Sequence, residues 1–353
     1  MKLHGSKAAL DAAYVRGTFL GKGSFGRVFV VTCRRTGERY ACKEFPDDED
    51  DGAWPTLDWH RETTALDRLA GQPGIVQMHG MYADRVLQRC WLVMDLADCT
   101  LDKWLSTTPG STRRAHRWHV GRSLVAAIAT CHAAGIVHRD VAPKNVLLQR
   151  QAETWRVLLA DFGTARTRRP GLRDAPKAWT PRVVQIPYRA PELVTADVAP
   201  QHGPPAYLPA AVDMWSWGCM WYQIAWGGPQ HLYWCDDQTS DARTVRAIFH
   251  RLGRPAYLPA GCTCAFCSAM RLPSDHAVPD LTEDVLIADA LHRAAIDAFQ
   301  QAFTDKDTDD DTDAVDTELR AVDALVACLA LDPARRPTAK SLLQHCIATW
   351  PDT

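Results

Sequence analysis

The chain has almost no net charge for its length and lacks any apolar segment suited to secretion. Its 353 residues carry 40 Lys and Arg against 42 Asp and Glu, a formal net charge of −2 at pH 7. This balance gives no reason to expect nucleic acid or an anionic membrane surface as a partner. Residues 1–17 contain no apolar stretch of the kind that a secretory signal needs, so no secretory signal is expected.

A membrane span is not expected either. The uncharged stretch at residues 214–235 has a suitable length, but Gly218, Gly227, Gly228 and Pro229 interrupt it, which favours a buried core helix followed by a loop. Without a secretory signal, the 12 cysteines are expected as reduced thiols in a cytoplasmic or nuclear protein. With 46% hydrophobic and 23% charged residues, the composition is typical of a folded globular protein.

The periodicity of the sequence changes near residue 100. Before that point strand-like segments dominate, and after it the pattern is mainly helical. The sequence predicts strands at 28–31, 40–43, 91–94, 146–148 and 157–159, and helices at 57–69 and 120–134. A small β-rich part followed by a larger helical part is therefore expected, with the boundary at 95–100.

A glycine-rich motif of the form G-x-G-x-x-G-x-V occupies residues 21–28. Glycines allow backbone amides to approach phosphate oxygens, and Val28 can cover a flat base. Dinucleotide-binding folds share this pattern, but they require a helix directly afterwards, whereas residues 29–31 continue as a strand. The motif therefore indicates a hairpin that closes over a nucleotide.

Lys43 lies on the next predicted strand and can neutralise phosphate charge. A buried ammonium group needs a carboxylate partner, because an unpaired charge away from water is costly. Glu62 lies on the following predicted helix, on the same face as Leu66 and Leu69. An acid between apolar residues on one face indicates an inward ion pair, although such a residue taken alone is more often a surface glutamate.

Three further polar residues have the side chains that phosphoryl transfer requires. The segment His138-Arg139-Asp140 leads to Asn145, and Asp161 opens the motif D-F-G. Phosphoryl transfer needs a carboxylate that orients the incoming hydroxyl and accepts its proton, together with oxygen ligands for Mg²⁺. Asp140 suits the first role, and Asn145 and Asp161 suit the second.

In this order, the motifs resemble those of the protein kinase superfamily. The resemblance spans about residues 14–349 and includes Ala-Pro-Glu at 190–192 and the segments 213–218 and 331–338, in which Arg336 is expected to pair with Glu192. It implies an α+β, bilobal protein kinase fold. The implied parts are an N-terminal extension at 1–13, a β-rich N-lobe at 14–94, a hinge at 95–100 and a mainly helical C-lobe at 101–349.

The resemblance also implies the reaction, which is transfer of the γ-phosphoryl of ATP to Ser or Thr of a protein substrate, with Mg²⁺. The implied catalytic residues are Asp140, Lys43, Glu62 and Lys144, and the implied metal ligands are Asn145 and Asp161. The residues implied to contact ATP are Leu20, Gly21, Gly23, Gly26, Val28, Ala41, Lys43, Met94, Asp95 and Ala97. Of these, the Asp95 carbonyl and the Ala97 amide are expected to bind the adenine.

Residues 180–192 and 248–255 resemble the cyclin-dependent-kinase-like (CMGC) branch. Thr180 then falls at the position of an activating phosphothreonine, which an upstream kinase would phosphorylate. The residues implied to bind this phosphate are Arg61, Arg139 and Arg166. Residues 57–62 do not reproduce the cyclin-binding helix of that branch, so a cyclin-like subunit is left open without support.

Three positions depart from the usual serine/threonine kinase pattern. Ala142 stands where those kinases carry Lys, and Gln185 and Pro187 replace a Thr and a Trp. Lys144 stands where many tyrosine kinases have Arg. A tyrosine or dual-specificity kinase and a catalytically inactive pseudokinase scaffold therefore remain as alternatives, while the surrounding residues favour Ser or Thr followed by Pro.

Two further segments contain residues that bind metals in other proteins. Cys262, Cys264 and Cys267 could supply thiolates to zinc, but their spacing is not that of paired zinc-binding motifs. Residues 305–318 hold eight acidic side chains but lack the glycine and the closing glutamate of a calcium loop. A solvated acidic loop is expected there.

Overall fold

The structure is a computed structural model that describes residues 3–23, 26–45, 57–167, 184–198, 208–226, 248, 312–345, 347–348 and 350. The chain divides into two compact units, residues 1–103 with 130–170, and residues 104–129 with 171–353. The strands of the described ranges lie in the first unit, and the second unit is helical. A sheet-rich part and a helical part are present, as the sequence predicts, but residues 130–170, which the sequence assigns to the C-lobe, belong to the first unit. The lobe boundary at 95–100 stays a prediction.

The strands are β1 (Tyr14–Gly23), β2 (Gly26–Cys33), β3 (Arg39–Phe45), β4 (Met78–Asp84), β5 (Arg89–Met94), β6 (Cys99–Thr100), β7 (Ile136–Val137), β8 (Val146–Gln151), β9 (Thr154–Leu159) and β10 (Arg166–Thr167). The first five form an antiparallel sheet in the order β1-β2-β3-β5-β4. A three-stranded sheet has the order β6-β8-β9, and β7 pairs with β10. The predicted strands are confirmed, whereas β4 was not predicted because its residues show no run of β-branched side chains.

The helices are α1 (Lys7–Ala13), α2 (Leu57–Arg68), α3 (Leu101–Thr107), α4 (Gly110–Ala133), α5 (Pro191–Val198), α6 (Pro209–Trp226), α7 (Thr312–Cys328) and α8 (Ala339–His345). Single 3₁₀ turns occur at Pro143–Asn145, Ile186–Tyr188 and Pro333–Arg335. The predicted helix at 57–69 is confirmed as α2. The predicted helix at 120–134 is the second half of α4, which begins ten residues earlier in a basic segment without apolar periodicity.

Residues before position 14, which the sequence sets apart as an extension, contact the five-stranded sheet. Leu10 of α1 is 5% exposed and packs in a buried cluster with Val31, Cys42, Trp91 and neighbouring side chains. Backbone hydrogen bonds from the His4 amide to the Met81 carbonyl (2.9 Å), and from the Ala83 amide to the Gly5 carbonyl (3.0 Å), attach the segment to β4. This face of the sheet is therefore covered by the chain itself.

The second unit is built around helix α6, which is buried over most of its circumference. The rings of Trp217 and Trp221 stack with their centroids 5.8 Å apart, and Trp350 lies 4.4 Å from Trp221. A Cβ at Gly121 of α4 would lie 2.4 Å from the Trp221 ring, so only glycine allows this close approach. The uncharged stretch that begins at residue 214 thus starts as a buried core helix, as predicted.

A buried ion pair joins two distant segments of the second unit. The guanidinium of Arg336 donates to both carboxylate oxygens of Glu192, at 2.6 and 2.8 Å, and both side chains are at most 1% exposed. Bidentate geometry of this kind is the strongest form of the arginine–carboxylate pair. The pairing expected from the sequence is therefore present.

Among the residues that the structure describes, no helix combines the length and the apolar character that crossing a bilayer requires.

The packing of Leu10 gives a direct test of whether residues 3–13 are an integral part of the first unit. Truncation to Ala removes a buried side chain from the cluster with Val31 and Trp91, so Leu10→Ala should lower the free energy of unfolding by about 2–4 kcal/mol. Urea unfolding followed by tryptophan fluorescence measures this loss. Leu3→Ala, at a leucine that is 47% exposed in the same segment, is the matched control and should change little. Equal stabilities for the two variants would contradict the prediction.

Candidate active site

The register of the five-stranded sheet places the predicted ATP-binding residues on one face. Val28 is directly opposite Lys43, and Ala41 is directly opposite Met94. Residues at i and i+2 on a strand share a face, as do residues paired across strands. These four side chains therefore lie on the face opposite the one that α1 covers, and Gly21 is paired with Val28 on β1.

The glycine motif forms the hairpin that the sequence predicts, with Gly23 of β1 paired to Gly26 of β2. Gly26 has a φ of +137°, and a Cβ built there would lie 2.1 Å from the Glu44 carbonyl oxygen. A side chain at this position would therefore prevent β2 from approaching β3. At Gly21, by contrast, an added Cβ would meet nothing within 4 Å, and Leu20 beside it is 51% exposed.

The Lys43 ammonium lies between two carboxylates. Its Nζ donates to Glu62 Oε2 at 2.7 Å and to Asp161 Oδ1 at 2.8 Å. Glu62 is fully buried because it falls on the inward stripe of α2, with Trp59, Thr63 and Leu66 at helical spacing. The structure thus brings together the lysine of β3, the acid of α2 and the aspartate that follows β9.

Burial and charge act on this group in opposite directions. Burial disfavours the charged ammonium, but the carboxylates of Asp161 and Glu62 outweigh it and raise the pKa of Lys43 above its usual value. Burial also raises the pKa of Glu62, which attraction by Lys43 only partly offsets. Lys43 is therefore a permanent cation, and its charge holds the two carboxylates together.

Asp140 is fixed by its neighbours in the same loop. The side-chain amide of Asn145 donates to the Asp140 carbonyl and to Asp140 Oδ2, each at 2.8 Å. The Asp140 amide donates to His138 Nδ1 at 3.2 Å, and His138 Nε2 donates to the Ala160 carbonyl at 3.0 Å. The His138 ring also lies edge-on to Phe162, with centroids 4.7 Å apart. The loop is thereby attached to the segment that carries Asp161.

Asn145 and Asp161 have side chains that fit Mg²⁺. The Ala160 amide donates to the Asn145 carbonyl at 2.9 Å, which places Asn145 beside the residue that precedes Asp161. Because Asn145 uses its amide nitrogen for Asp140, its side-chain oxygen faces away from that donor contact, and Asp161 has a second oxygen beyond the one that Lys43 binds. An amide oxygen and a carboxylate, completed by phosphate oxygens, are a typical Mg²⁺ ligand set. In the described ranges, no group of three or more His, Cys, Asp or Glu is placed so that it could hold a metal ion by itself.

The remaining predicted catalytic and hinge residues differ in exposure. Lys144 is exposed in the 3₁₀ turn, whereas Ala142, directly before that turn, is fully buried. Asp95 and Ala97 follow β5 and are half-buried. The Asp95 amide donates to the Gln77 carbonyl at 3.0 Å.

Of the three arginines expected at a phosphothreonine, two are close in the backbone. Arg166 of β10 is paired with Val137, two residues before Arg139, and Arg61 pairs with Asp58 on its own helix at 3.4 Å. Thr180 lies outside the described residues, and so do Cys262, Cys264 and Cys267 and residues 305–311.

Sequence reasoning assigned no role to His138, although the motif contains it. The structure shows it fully buried and hydrogen-bonded to both Asp140 and Ala160. Thr164 was also missed, and its hydroxyl donates to the His138 carbonyl at 3.0 Å. The position of His138 inside the motif is a signal that could have found it, whereas a threonine after D-F-G carries none.

The comparison with protein families identifies the class of protein. A family described as "protein kinase domain" matches residues 14–347. This match covers nearly the whole chain and agrees with the sheet-rich and helical parts described above. The chain belongs to the protein kinase domain family and has the protein kinase fold.

Curated relatives include calcium-dependent protein kinase 25 of Arabidopsis thaliana, 29% identical over 62% of this chain and 39% of the relative. Calcium-dependent protein kinase 9 of Oryza sativa subsp. japonica is 30% identical over 69% and 39%, and serine/threonine-protein kinase PEPKR2 of Arabidopsis thaliana is 31% identical over 63% and 42%. The chain therefore spans about two fifths of the length of these relatives. They are not cyclin-dependent kinases, and the expected closeness to that branch is not confirmed.

Among solved structures, a chain in the structure of the CAK complex from Chaetomium thermophilum bound to ATP-gamma-S is similar to this chain. The TM-score is 0.69 and the identity 24%, with 98% of this chain and 94% of the other covered. At this identity the similarity concerns the fold.

The contrast between two glycines of the same motif is testable. Gly26→Ala places a Cβ against the Glu44 carbonyl at a positive φ, and should lower the free energy of unfolding by about 1–3 kcal/mol. Gly21→Ala, which meets open space, is the control and should leave stability unchanged or slightly higher. Thermal unfolding without nucleotide measures both. A larger loss for Gly21→Ala than for Gly26→Ala would show that the hairpin is not packed as described.

Proposed function

We propose that this protein is an ATP-dependent protein kinase that transfers the γ-phosphoryl group of ATP to Ser or Thr of protein substrates. The observation that carries the proposal is the position of Lys43 between Glu62 and Asp161, at 2.7 and 2.8 Å. A cation so held has little freedom to reorient and can bind phosphate oxygens without rearrangement. The similar CAK complex is bound to ATP-gamma-S, an ATP analogue, which is consistent with this ligand.

Each polar side chain of the site has a role in this reaction. Asp140, oriented by Asn145, accepts the proton of the substrate hydroxyl, while Lys43 binds phosphate oxygens of ATP. The adenine lies on the sheet face of Ala41 and Met94, and the Asp95 carbonyl and the Ala97 amide bind its edge. Mg²⁺, held by Asn145 and Asp161, supplies positive charge for the phosphates when it is bound.

Lys144 provides a further positive charge near the transferred phosphoryl group. In most serine/threonine kinases the resemblance places a lysine at the position of Ala142, which is fully buried here. Lys144 is exposed in the middle of the 3₁₀ turn that follows Ala142, and can reach a phosphate oxygen from a different backbone position. Because the positive charge is at position 144 rather than 142, a tyrosine or dual-specificity kinase is the alternative to be tested.

The first experiment is phosphate transfer from labelled Mg·ATP to Ser, Thr and Tyr peptides. The wild type should transfer label to Ser or Thr, and Asp140→Asn and Asp161→Asn should each lower kcat at least about 100-fold, because each removes a carboxylate that acts on the reacting groups. Phosphoamino-acid analysis identifies the acceptor, and circular dichroism checks that the variants fold. Label on Tyr alone would overturn the Ser/Thr assignment, and no transfer by an enzyme that binds ATP would favour the pseudokinase.

We further propose that the residue after the phosphorylated Ser or Thr is Pro, as in the cyclin-dependent-kinase-like branch. The support comes from Val184, which adopts a φ of +70° that is rare for a β-branched residue. Its carbonyl accepts hydrogen bonds from Arg189 Nε at 3.0 Å and from Arg189 Nη2 at 2.8 Å. A substrate amide at this point would find the acceptor already occupied and lose a hydrogen bond, whereas proline has no N–H to satisfy.

Peptide pairs test this preference without altering the enzyme. A Ser-Pro peptide should be phosphorylated with a kcat/KM about tenfold higher than its Ser-Ala counterpart, since an unsatisfied amide costs about 1–3 kcal/mol. A peptide with N-methylalanine after Ser removes the N–H without adding the proline ring. It should react like the Ser-Pro peptide. Equal use of Ser-Ala and Ser-Pro would overturn the preference.

Activation through Thr180 is also proposed, with an upstream kinase as the source of the phosphate. The support is the resemblance of residues 180–192 to the activation segment of that branch, together with the position of Arg166 on β10, where it is paired with Val137, two residues before Arg139. Thr180→Ala, added as an arm of the transfer assay after treatment with an activating kinase, should lose the increase in activity that the wild type shows.

A further inference from the structure

Asp95, the residue implied to present its carbonyl to the adenine, is held by its side chain as well as by its backbone. His79 Nε2 lies 2.7 Å from Asp95 Oδ1, and the Gln77 amide donates to Asp95 Oδ2 at 3.1 Å. The Asp95 amide in turn donates to the Gln77 carbonyl at 3.0 Å. Three hydrogen bonds with Gln77 and His79 therefore fix Asp95 just after the end of β5.

His79 reaches Asp95 because β4 is irregular at this point. Met78 is paired with Met94 and Gly80 with Val93, so the register shifts between positions 78 and 80. A β-bulge of this kind changes the direction of the side chain it contains. His79 has no equivalent partner position on β5 and turns instead toward the residue that follows the strand.

The pair is supported from its other sides. The His79 ring packs against Tyr40 of β3, with centroids 4.6 Å apart, and the Tyr40 hydroxyl donates to Glu38 at 2.7 Å. Arg156 approaches Asp95 Oδ2 only to 3.9 Å, beyond hydrogen-bonding distance. Within the described residues around Asp95, His79 is thus the side chain that binds its carboxylate most closely.

The charge state of Asp95 agrees with this arrangement. Burial alone would raise its pKa, but the hydrogen bonds from His79 and the Gln77 amide outweigh burial and lower the pKa of Asp95 below its usual value. The carboxylate is therefore ionised, and its hydrogen bond to His79 is charge-assisted, which makes it stronger than a neutral one.

We propose that His79 is a positioning residue for nucleotide binding, which acts by fixing Asp95 through the 2.7 Å contact between the two side chains. This inference rests on the proposed function, since it assumes that ATP binds at Asp95. Rotation of the Asp95 peptide would misdirect the carbonyl that is to meet the adenine amino group. Loss of the His79 contact removes one of the three bonds that oppose this rotation, and the nucleotide then has to order the residue on binding.

The expected signature is a change in KM for ATP with little change in kcat. His79→Ala should raise the KM for ATP about 3- to 10-fold and leave kcat within about twofold of the wild type, because the reacting groups at Asp140 and Lys43 are untouched. His79→Gln, whose amide can donate to Asp95 without a positive charge, should recover most of the affinity. Asp95→Ala should raise KM similarly, and adding His79→Ala to it should have little further effect.

His345→Ala is the matched control, at an exposed histidine at the end of α8 in the second unit, and should leave both constants unchanged. Thermal unfolding without nucleotide checks that every variant is folded. A KM within twofold of the wild type for His79→Ala, additive effects in the double variant, or failure of His79→Gln to recover affinity would each overturn the role of His79.

Direct titration of ATP into the wild type by calorimetry separates this inference from the function on which it rests. Absence of ATP binding by the folded wild type would overturn the proposed function and the inference with it. Tight binding by the wild type and equal binding by His79→Ala would overturn only the inference. Weaker binding by His79→Ala, with recovery in His79→Gln, supports it.

Discussion

The buried ammonium of Lys43 is the constraint on which the rest of the site depends. A cation removed from water is costly unless carboxylates hold it, and the penalty for leaving either partner of a buried pair alone is larger than the gain from the pair itself. Lys43 therefore requires Glu62 and Asp161 at the same time. Lys43 lies on β3, Glu62 on α2 and Asp161 in the segment after β9. Three elements that are distant in sequence are brought to one point by a single charge.

Backbone hydrogen bonds around this point link the segment that carries Asp161 to the end of β5, where Asp95 lies. The Val76 amide donates to the Leu159 carbonyl at 3.1 Å, and the Leu159 amide donates to the Gly74 carbonyl at 2.8 Å. Gln77, at the end of the same short segment, exchanges hydrogen bonds with Asp95. The segment 74–77 is thus hydrogen-bonded to Leu159, two residues before Asp161, and to Asp95 itself. A displacement of this segment would therefore move both Leu159 and Asp95, because hydrogen bonds attach the segment to each of them.

The sequence predicts the parts of this arrangement whose spacing is regular. The hairpin of β1 and β2 was predicted because residues 29–31 continue as a strand. An acid on an apolar helix face made Glu62 a candidate, and the resemblance to protein kinases gave it its role. Helix α1 escaped prediction since Leu10 is its only buried residue and leaves no periodic pattern. The contact of His79 with Asp95 was equally hidden, because it depends on a register shift in β4, a strand that residue propensities do not indicate. The role of Lys144 was inferred from the kinase resemblance, and the packing of this exposed side chain does not indicate a role.

Two of the motif residues adopt backbone conformations that are rare for residues with a side chain. Arg139 and Asp161 have φ values of +67° and +63°, a region that costs a residue with a side chain about 1–3 kcal/mol. Neither could be held there by local preference. Each is flanked by hydrogen bonds that set its peptide, from the His138 ring to Ala160 and from Thr164 to the His138 carbonyl, so the surrounding loop imposes the conformation. The chain accepts this cost beside Asp140 and Lys43, where side chains must point in directions that regular structure does not offer.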